Sequence, residues 1–199
     1  SAGLKRAEID TGALILTGVA VRRRNARAIA DLLAADAGKF VAVSAGDGLE
    51  STMSAHGSGA VLRSTRSAGL VVNIDIGGGT TKIAHCRGGK VLGVTAIDAG
   101  ARLVVLDEDG RVTRVEPTGR IHADDVGADV SLGVIPDAEL LDAIADRMAE
   151  RILEAAGLAP LSDETAALLL IPPLPAADGI DALTFSGGVS EYLYGNETS

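Results

Sequence analysis

The sequence predicts an α/β fold, a mixed sheet with flanking helices, and three observations predict it. Apolar strand-like runs alternate with helical stripes over residues 12–62, a pattern that implies parallel strands. Three further strand-like runs over residues 70–98 are joined by short glycine links, which favour antiparallel hairpins. The apolar residues, 47% of the 199, are almost all aliphatic, with 2% aromatics and no Trp, and such side chains suit helices packed on sheets.

Taken in order, "GALILTG" (12–18) reads as a buried strand closed by glycine. "RRNARAIADLLAADAG" follows with Ala26, Ile29, Leu32 and Leu33 at helical spacing and Gly38 as its stop. "KFVAVSAG" (39–46) is a second strand. "LESTMSAHGSGAVL" (49–62) reads as a helix, although Gly57 and Gly59 each cost about 1 kcal/mol relative to Ala inside one. After the polar joint "RSTRSAG" (63–69) come the strands "LVVNIDI" (70–76), "TKIAHCR" (81–87) and "KVLGVTAID" (90–98). "RLVVLDEDGRVTRVEP" adds a hairpin turning at "DEDG". "GADVSLGVIP" reads as irregular. "DAELLDAIADRMAERILEAAG" (137–157) is the clearest helix, with Asp137 as N-cap, a stripe of Leu140, Leu141, Ile144, Met148 and Ile152, and Gly157 as its end. A Pro-rich connector, "LLLIPPLPAAD", leads to "DALTFSGGVSEYL" (181–193): a strand, a double glycine and a helix start.

The bulk numbers exclude several classes. Net charge is −9, with no basic cluster beyond Arg22, Arg23 and Arg24, which argues against a nucleic-acid partner. The single cysteine, Cys86, rules out a disulfide framework, fits a reducing cytoplasm and reads as core within its strand. No apolar run reaches the roughly 18 residues that span a bilayer, and the polar start "SAGLKRAEID" is no signal peptide. That start lacks Met, so a fragment of a longer protein is expected. His56, His85 and His122 show no metal-ligand spacing. The acidic "DEDG" and "HADD" stretches read as solvated loops.

The segment most charged with chemistry is "DIGGGTT" (75–81). Removing Cβ from three successive residues lets backbone N–H groups converge on an anion. Thr80 and Thr81 add hydroxyl donors, and Asp75 can hold a hydrated Mg²⁺ that bridges phosphate oxygens. The segment is neither a Walker A loop nor a Rossmann fingerprint, because a strand follows it and GxxxxGK[ST] is absent. A glycine-rich hairpin turn beside an incidental Asp is the bland alternative. A second glycine site, "SGGVSE" (186–191), allows close approach of a flat ligand such as a nucleoside, or simply ends a strand.

Together these motifs resemble the actin-like ATPase superfamily, of ribonuclease H-like fold. "DIGGGTT" is similar to its second phosphate loop, "SGGVSE" to its adenosine loop, and "LESTMSAHGSGA" to its first connecting helix, whose small residues let two lobes approach. Within it, "ALILTGVAVRRRNARAIADLLA", "FVAVSAGDGLESTMSAHGSGA", "VVNIDIGGGTTKIAHCRGGKV" and "TFSGGVSEYLYGNE" are similar, in order, to the reactivating factors of ethanolamine ammonia-lyase. The resemblance is weakest between about 120 and 180.

That resemblance implies an ATP-dependent chaperone that releases damaged cobalamin from an adenosylcobalamin-dependent lyase, with ATP or ADP and Mg²⁺ as cofactors and ethanolamine ammonia-lyase as partner. Asp75 would contact hydrated Mg²⁺; Gly77, Gly78, Gly79, Thr80 and Thr81 would hold the β- and γ-phosphates; Gly187 and Gly188 would line the adenosine pocket. Glu50 would stand near the metal, or only complement its helix dipole. Glu191 would border the nucleoside or serve as a first-turn helix charge. Phosphoryl transfer needs positioning and charge neutralisation rather than a nucleophilic side chain. No first phosphate loop of "DxGxxT" type precedes residue 70, so ATPase activity is expected of the full-length protein and not of this segment alone. Residues 1–66 are expected to end a first lobe, and 67–199 to form most of a second, with an insertion near 116–182. A small-molecule kinase of the same fold and a non-catalytic nucleotide-binding module stay open as alternatives, as do homo-oligomerisation and association with a bacterial microcompartment.

Overall fold

A computed structural model describes residues 46–198 in full and the backbone of two strands, 12–16 and 40–44. Strands β1 (Gly12–Leu16) and β2 (Phe40–Ser44) pair in parallel, Gly12 opposite Phe40, as the alternating pattern predicts. The helix expected between them, with Arg22–Arg24, lies outside the described residues.

The main sheet has four strands in the order β5-β4-β3-β8. β3 (Leu70–Ile76), β4 (Thr81–Arg87) and β5 (Lys90–Ile97) form the antiparallel meander that their glycine links predict. β8 (Ile180–Ser186) returns from a crossover of about a hundred residues and pairs in parallel with β3. Between them lie the hairpin β6 (Val104–Leu106) and β7 (Val112–Val115) and helices α3 (Pro117–Val126), α4 (Ala138–Ala155) and α5 (Asp163–Ala166). The chain continues from β8 into α6 (Ser190–Leu193).

Side chains alternate across a strand with a period of two, and β3 uses both faces. Leu70, Val72 and Ile74 join Ile83, Ile97 and Ile152 of α4 in one core. Val71, one residue out of phase, joins Ala84 and Cys86 under Ala55 of α1 (Asp47–Gly57) and Ala60 and Val61 of α2 (Ala60–Ser64). Cys86 is thus a buried core residue. The face that starts apolar at Val71 turns polar toward the strand end, at Asn73 and Asp75. That change of texture places the site described below.

Two expectations need correction. The helix predicted over 49–62 is two helices: α1 ends at Gly57, and Gly59, at φ +81°, caps α2 in the left-handed region that only glycine adopts freely. Nothing described lies within 4 Å of where a Cβ would stand on Gly57 or Gly59, and the positive φ is what the described structure requires of Gly59. "HADD" is also no solvated loop. His122 to Asp125 lie in α3, which starts with Pro117 and ends at Gly127, φ +70°. This is the proline-first, glycine-last asymmetry of a helix, masked in the sequence by Gly119. That glycine is needed because a Cβ there would stand 2.6 Å from the Leu103 carbonyl oxygen. The "DEDG" turn is as expected, with Asp107 Oδ1 accepting from the N–H of Asp109 (3.0 Å) and Arg111 (2.8 Å). Asp137 caps α4 through a 2.8 Å bond from Glu139 N–H, also as expected. No helix among the described residues is long and apolar enough to cross a membrane.

Two histidines are built into the core. His85 Nε2 donates to the Ala156 carbonyl at 2.9 Å. His122 Nδ1 lies 2.7 Å from Arg151 Nη1. Arginine only donates, so Nδ1 is the acceptor and the ring is neutral, its proton on Nε2. Asp125 pairs with the same guanidinium. Burial pushes both histidines below their ordinary 6.5, with Arg151 adding to the effect on His122. For a base held low by folding, the unfolded chain takes up the proton first. Stability is therefore fully present above about 6.5 and is lost as pH falls below it. Urea unfolding at pH 7.5 and pH 5.0 should show a lower unfolding free energy at pH 5.0, and His122→Asn should flatten that dependence.

Candidate phosphate site

The sheet's two parallel strands, β3 and β8, run the same way and end together, with Asp75 opposite Ser186. Ligands of open α/β sheets bind outside the carboxyl ends of such strands. Both glycine motifs begin there. Gly187, φ +84°, lies so near the β3 terminus that a Cβ would stand 2.7 Å from Asp75 Oδ1 and 2.8 Å from the Ile76 carbonyl carbon. Gly188 faces open space. Residues 75–81 and 186–191, about 110 positions apart, therefore come together at one end of the sheet.

The loop Gly77–Thr80 is held from its carbonyl side. Gly77 N–H donates to the Thr80 carbonyl (3.0 Å), and the carbonyls of Gly77 and Gly78 accept from the N–H groups of Ala101 (3.0 Å) and Arg102 (2.7 Å). Gly100 allows that neighbour to close in, since a Cβ there would lie 2.6 Å from Thr80 N. With its carbonyls turned to protein, the loop keeps its donors for something else. No described group accepts from the N–H of Gly78, Gly79 or Thr80. Consecutive backbone donors without partners are what an anion-binding concavity is built from.

The predicted side chains divide. Thr80 is buried at the loop, with its hydroxyl accepting from Lys82 Nζ. Thr81 is turned inward, its hydroxyl donating to the Ala99 carbonyl at 2.6 Å, so only its backbone belongs to the loop. Asp75 sits beside the hydroxyls of Ser54 and Ser186. Burial pushes its carboxyl above the ordinary value; the Ser54 hydroxyl opposes this, the Glu50 charge adds to it, and Lys82 and Ser186 oppose it. Glu50 and Asp47 stand in the first turn of α1 and both face Lys82, at 3.2 Å (Oε2) and 3.6 Å (Oδ1). Glu50 Oε2 is buried and meets the ammonium as an ion pair without hydrogen-bond alignment. Glu191 is exposed in the first turn of α6 and accepts from Asn196 Nδ2 at 3.0 Å.

Two residues here were not singled out by the sequence. Lys82 pairs with Asp75 across β3 and β4, and counting outward from the hairpin would have found it. Arg102 is exposed, and its aliphatic stem runs 3.8 Å from where a Cβ would stand on Gly78. The bond from its own N–H to the Gly78 carbonyl holds it there. A separate cavity of about 610 Å³ lies on the sheet's other face, between Ile74, Ile76, Phe185 and the Met148 side of α4. Its lining carries no charged residue. No cluster of three or more His, Cys, Asp or Glu placed to hold a metal occurs among the described residues. Mg²⁺ needs only one or two carboxylates when waters and phosphates complete its shell, and Asp75 beside the open N–H groups fits that mode.

Known proteins bear on the site as follows. The family model described as ethanolamine utilisation protein EutA matches residues 1–199. Two curated relatives, both named ethanolamine ammonia-lyase reactivase EutA, from Escherichia coli (strain K12) and Salmonella typhimurium (strain LT2), are each 38% identical over 194 residues, 96% of this chain. The chain spans 41% of the length of each. Among solved structures it is similar to MreB5 of Spiroplasma citri bound to AMPPNP, at 15% identity over 92% of this chain and 60% of that one, with a TM-score of 0.37. The Aquifex aeolicus member of the Ppx/GppA family aligns at 24% identity over 43% of this chain and 27% of that one, with a TM-score of 0.33. Scores this low describe no shared site.

Two substitutions probe the geometry. Gly187→Ala puts a methyl in the left-handed region and against Asp75, and should cost about 1–3 kcal/mol in urea unfolding. Asp75 has the opposite sign. A carboxyl raised by folding contributes stability below its ordinary value that is lost as pH rises through the raised one. Asp75→Asn should therefore leave the chain as stable as the parent or more so at pH 8, with the difference shrinking toward pH 4.

Proposed function

Because this chain belongs to the family of ethanolamine utilisation protein EutA, matched along its whole length, we propose that it is part of an ATP-dependent reactivating chaperone for ethanolamine ammonia-lyase. In this reading the full-length protein uses nucleotide to promote release of damaged cobalamin, so that intact cofactor can rebind. The observation that carries it is the trio of open N–H groups at Gly78, Gly79 and Thr80, set at the carboxyl end of β3 beside Asp75 and against Gly187. The names of the two relatives support the choice of lyase.

The chain's own groups divide the work. The backbone of Gly77–Thr80 receives the β- and γ-phosphates, and the Thr80 hydroxyl adds a donor. Gly187 leaves room at the β3 terminus, and Gly188 presents bare backbone to the nucleoside. Bound Mg²⁺ would neutralise phosphate charge; Asp75 would hold its water shell, with Glu50 nearby across the ammonium of Lys82. Fixed donors and charges aimed at the phosphates are what phosphoryl transfer asks of a protein. Residues 1–66 would close a first lobe and 67–199 form most of the second, with the site on the second lobe's rim. The reading places the protein in the cytoplasm with its lyase.

The full-length protein tests this directly. Mg·ADP at about 100 times its dissociation constant should stabilise it by about 2.7 kcal/mol, and ATP should restore a lyase blocked with a cobalamin analogue. No nucleotide-dependent shift, or shift without recovery of the lyase, would overturn the reading. Asp75→Asn should abolish recovery while the protein stays folded.

A further inference from the structure

We propose that Lys82 is the resident cation of this phosphate site, a positioning residue that keeps the acidic mouth of α1 closed to a lone divalent ion and turns the Thr80 hydroxyl toward phosphate. The proposal rests on the phosphate-binding reading above and adds a residue and a charge rule to it.

Lys82 is 3% exposed, two residues beyond the glycine loop on a face otherwise shared with Ala84 and Cys86. Burying an ammonium is costly, and replacing a buried ion pair with apolar groups is often neutral or stabilising. Packing alone therefore gives a poor reason for a lysine here. Its ammonium lies among three oxygens from two elements: it donates to Thr80 Oγ1 on the loop and forms ion pairs with Glu50 Oε2 and Asp47 Oδ1 on α1. Asp75 stands opposite it in the strand pair.

Two consequences follow from donor and acceptor counts. A lysine ammonium has no lone pair, so Thr80 Oγ1 can only accept from it. The threonine's own proton is then left to donate, and the adjoining unpartnered groups are the N–H donors of Gly78, Gly79 and Thr80 itself. All point to an acceptor-rich ligand such as a phosphate. The ammonium also occupies the place between Asp47 and Glu50 that a divalent ion would bridge. A free cation then meets a set of carboxylates already neutralised in part, and enters well only with the negative charge of a nucleotide.

Mn²⁺ alone and Mn·ADP, each titrated against full-length protein by electron paramagnetic resonance, test the proposal. Wild type should bind Mn²⁺ at least about tenfold more weakly without ADP than with it. Lys82→Met should move the two affinities in opposite directions: Mn²⁺ alone at least about tenfold tighter, because the carboxylates lose their counter-charge, and Mn·ADP weaker. Lys82→Arg, which keeps the charge, should keep Mn²⁺ alone weak. Equal weakening of both by Lys82→Met, or an unchanged affinity for Mn²⁺ alone, overturns the proposal. If Lys82→Met does not fold, the wild-type comparison decides, and tight binding of Mn²⁺ without nucleotide overturns it. Wild type that binds no ADP refutes the nucleotide reading instead, while the gain of Mn²⁺ affinity in Lys82→Met still judges Lys82.

Discussion

The parallel pairing of β3 with β8 is the constraint on which the rest of the site depends. It fixes Asp75 opposite Ser186, so the two strands end side by side and their glycine turns meet. Neither turn is much of a site alone. The first offers three N–H donors without a hydrogen-bond partner, and the second ends a strand. Joined, they give donors, a carboxylate and a gap at one end of one sheet. Gly187 is the tightest point of the joint, since any side chain there would strike Asp75 or the Ile76 backbone.

The same sheet shows how function and stability divide a strand. One face of β3 is apolar along its length and anchors the larger core against α4. The other begins apolar at Val71 and becomes a buried polar network at Asn73 and Asp75, with Asn73 Oδ1 accepting from Thr184 at 2.9 Å. Ser54, Ser186, Lys82 and α1's first-turn carboxylates complete it. A polar cluster in such surroundings gains from complete pairing and suffers from any gap. Asp75, whose carboxyl burial pushes upward, is the member kept at a cost to folding. Strain and desolvation of this kind concentrate where a protein binds or reacts.

Much of this was legible in the residues. The three strands of the meander begin where the sequence reading placed them, because their glycine links are short and their apolar runs bounded. Asp137 and Gly157 bracket α4 as cap chemistry requires. The break at Ser58–Gly59 was not legible, since a small-residue helix and two helices joined by a left-handed glycine read alike. Helix α3 was hidden because its apolar spacing is poor and Gly119 sits within it. Its reason, the approach of the Leu103 carbonyl, belongs to a neighbour in space. Thr80 and Thr81 read as a pair of donors, yet Thr81 opens β4 with its side chain turned inward and spends its hydroxyl on Ala99.

The sequence by itself determined the strands of the meander, the long helix α4, the glycine loops and the chemistry an Asp, three glycines and a Thr can perform, because these follow from local propensity and from removing Cβ. It also determined family membership. Only the tertiary structure decided which groups share the site. Lys82 lies between Asp47, Glu50 and Thr80 because strand register and helix packing bring them within reach. Arg102 comes alongside Gly78 where its N–H donates to the Gly78 carbonyl. The physical reason is that a buried charge is tolerated only with partners, and those partners come from elements far apart in the chain.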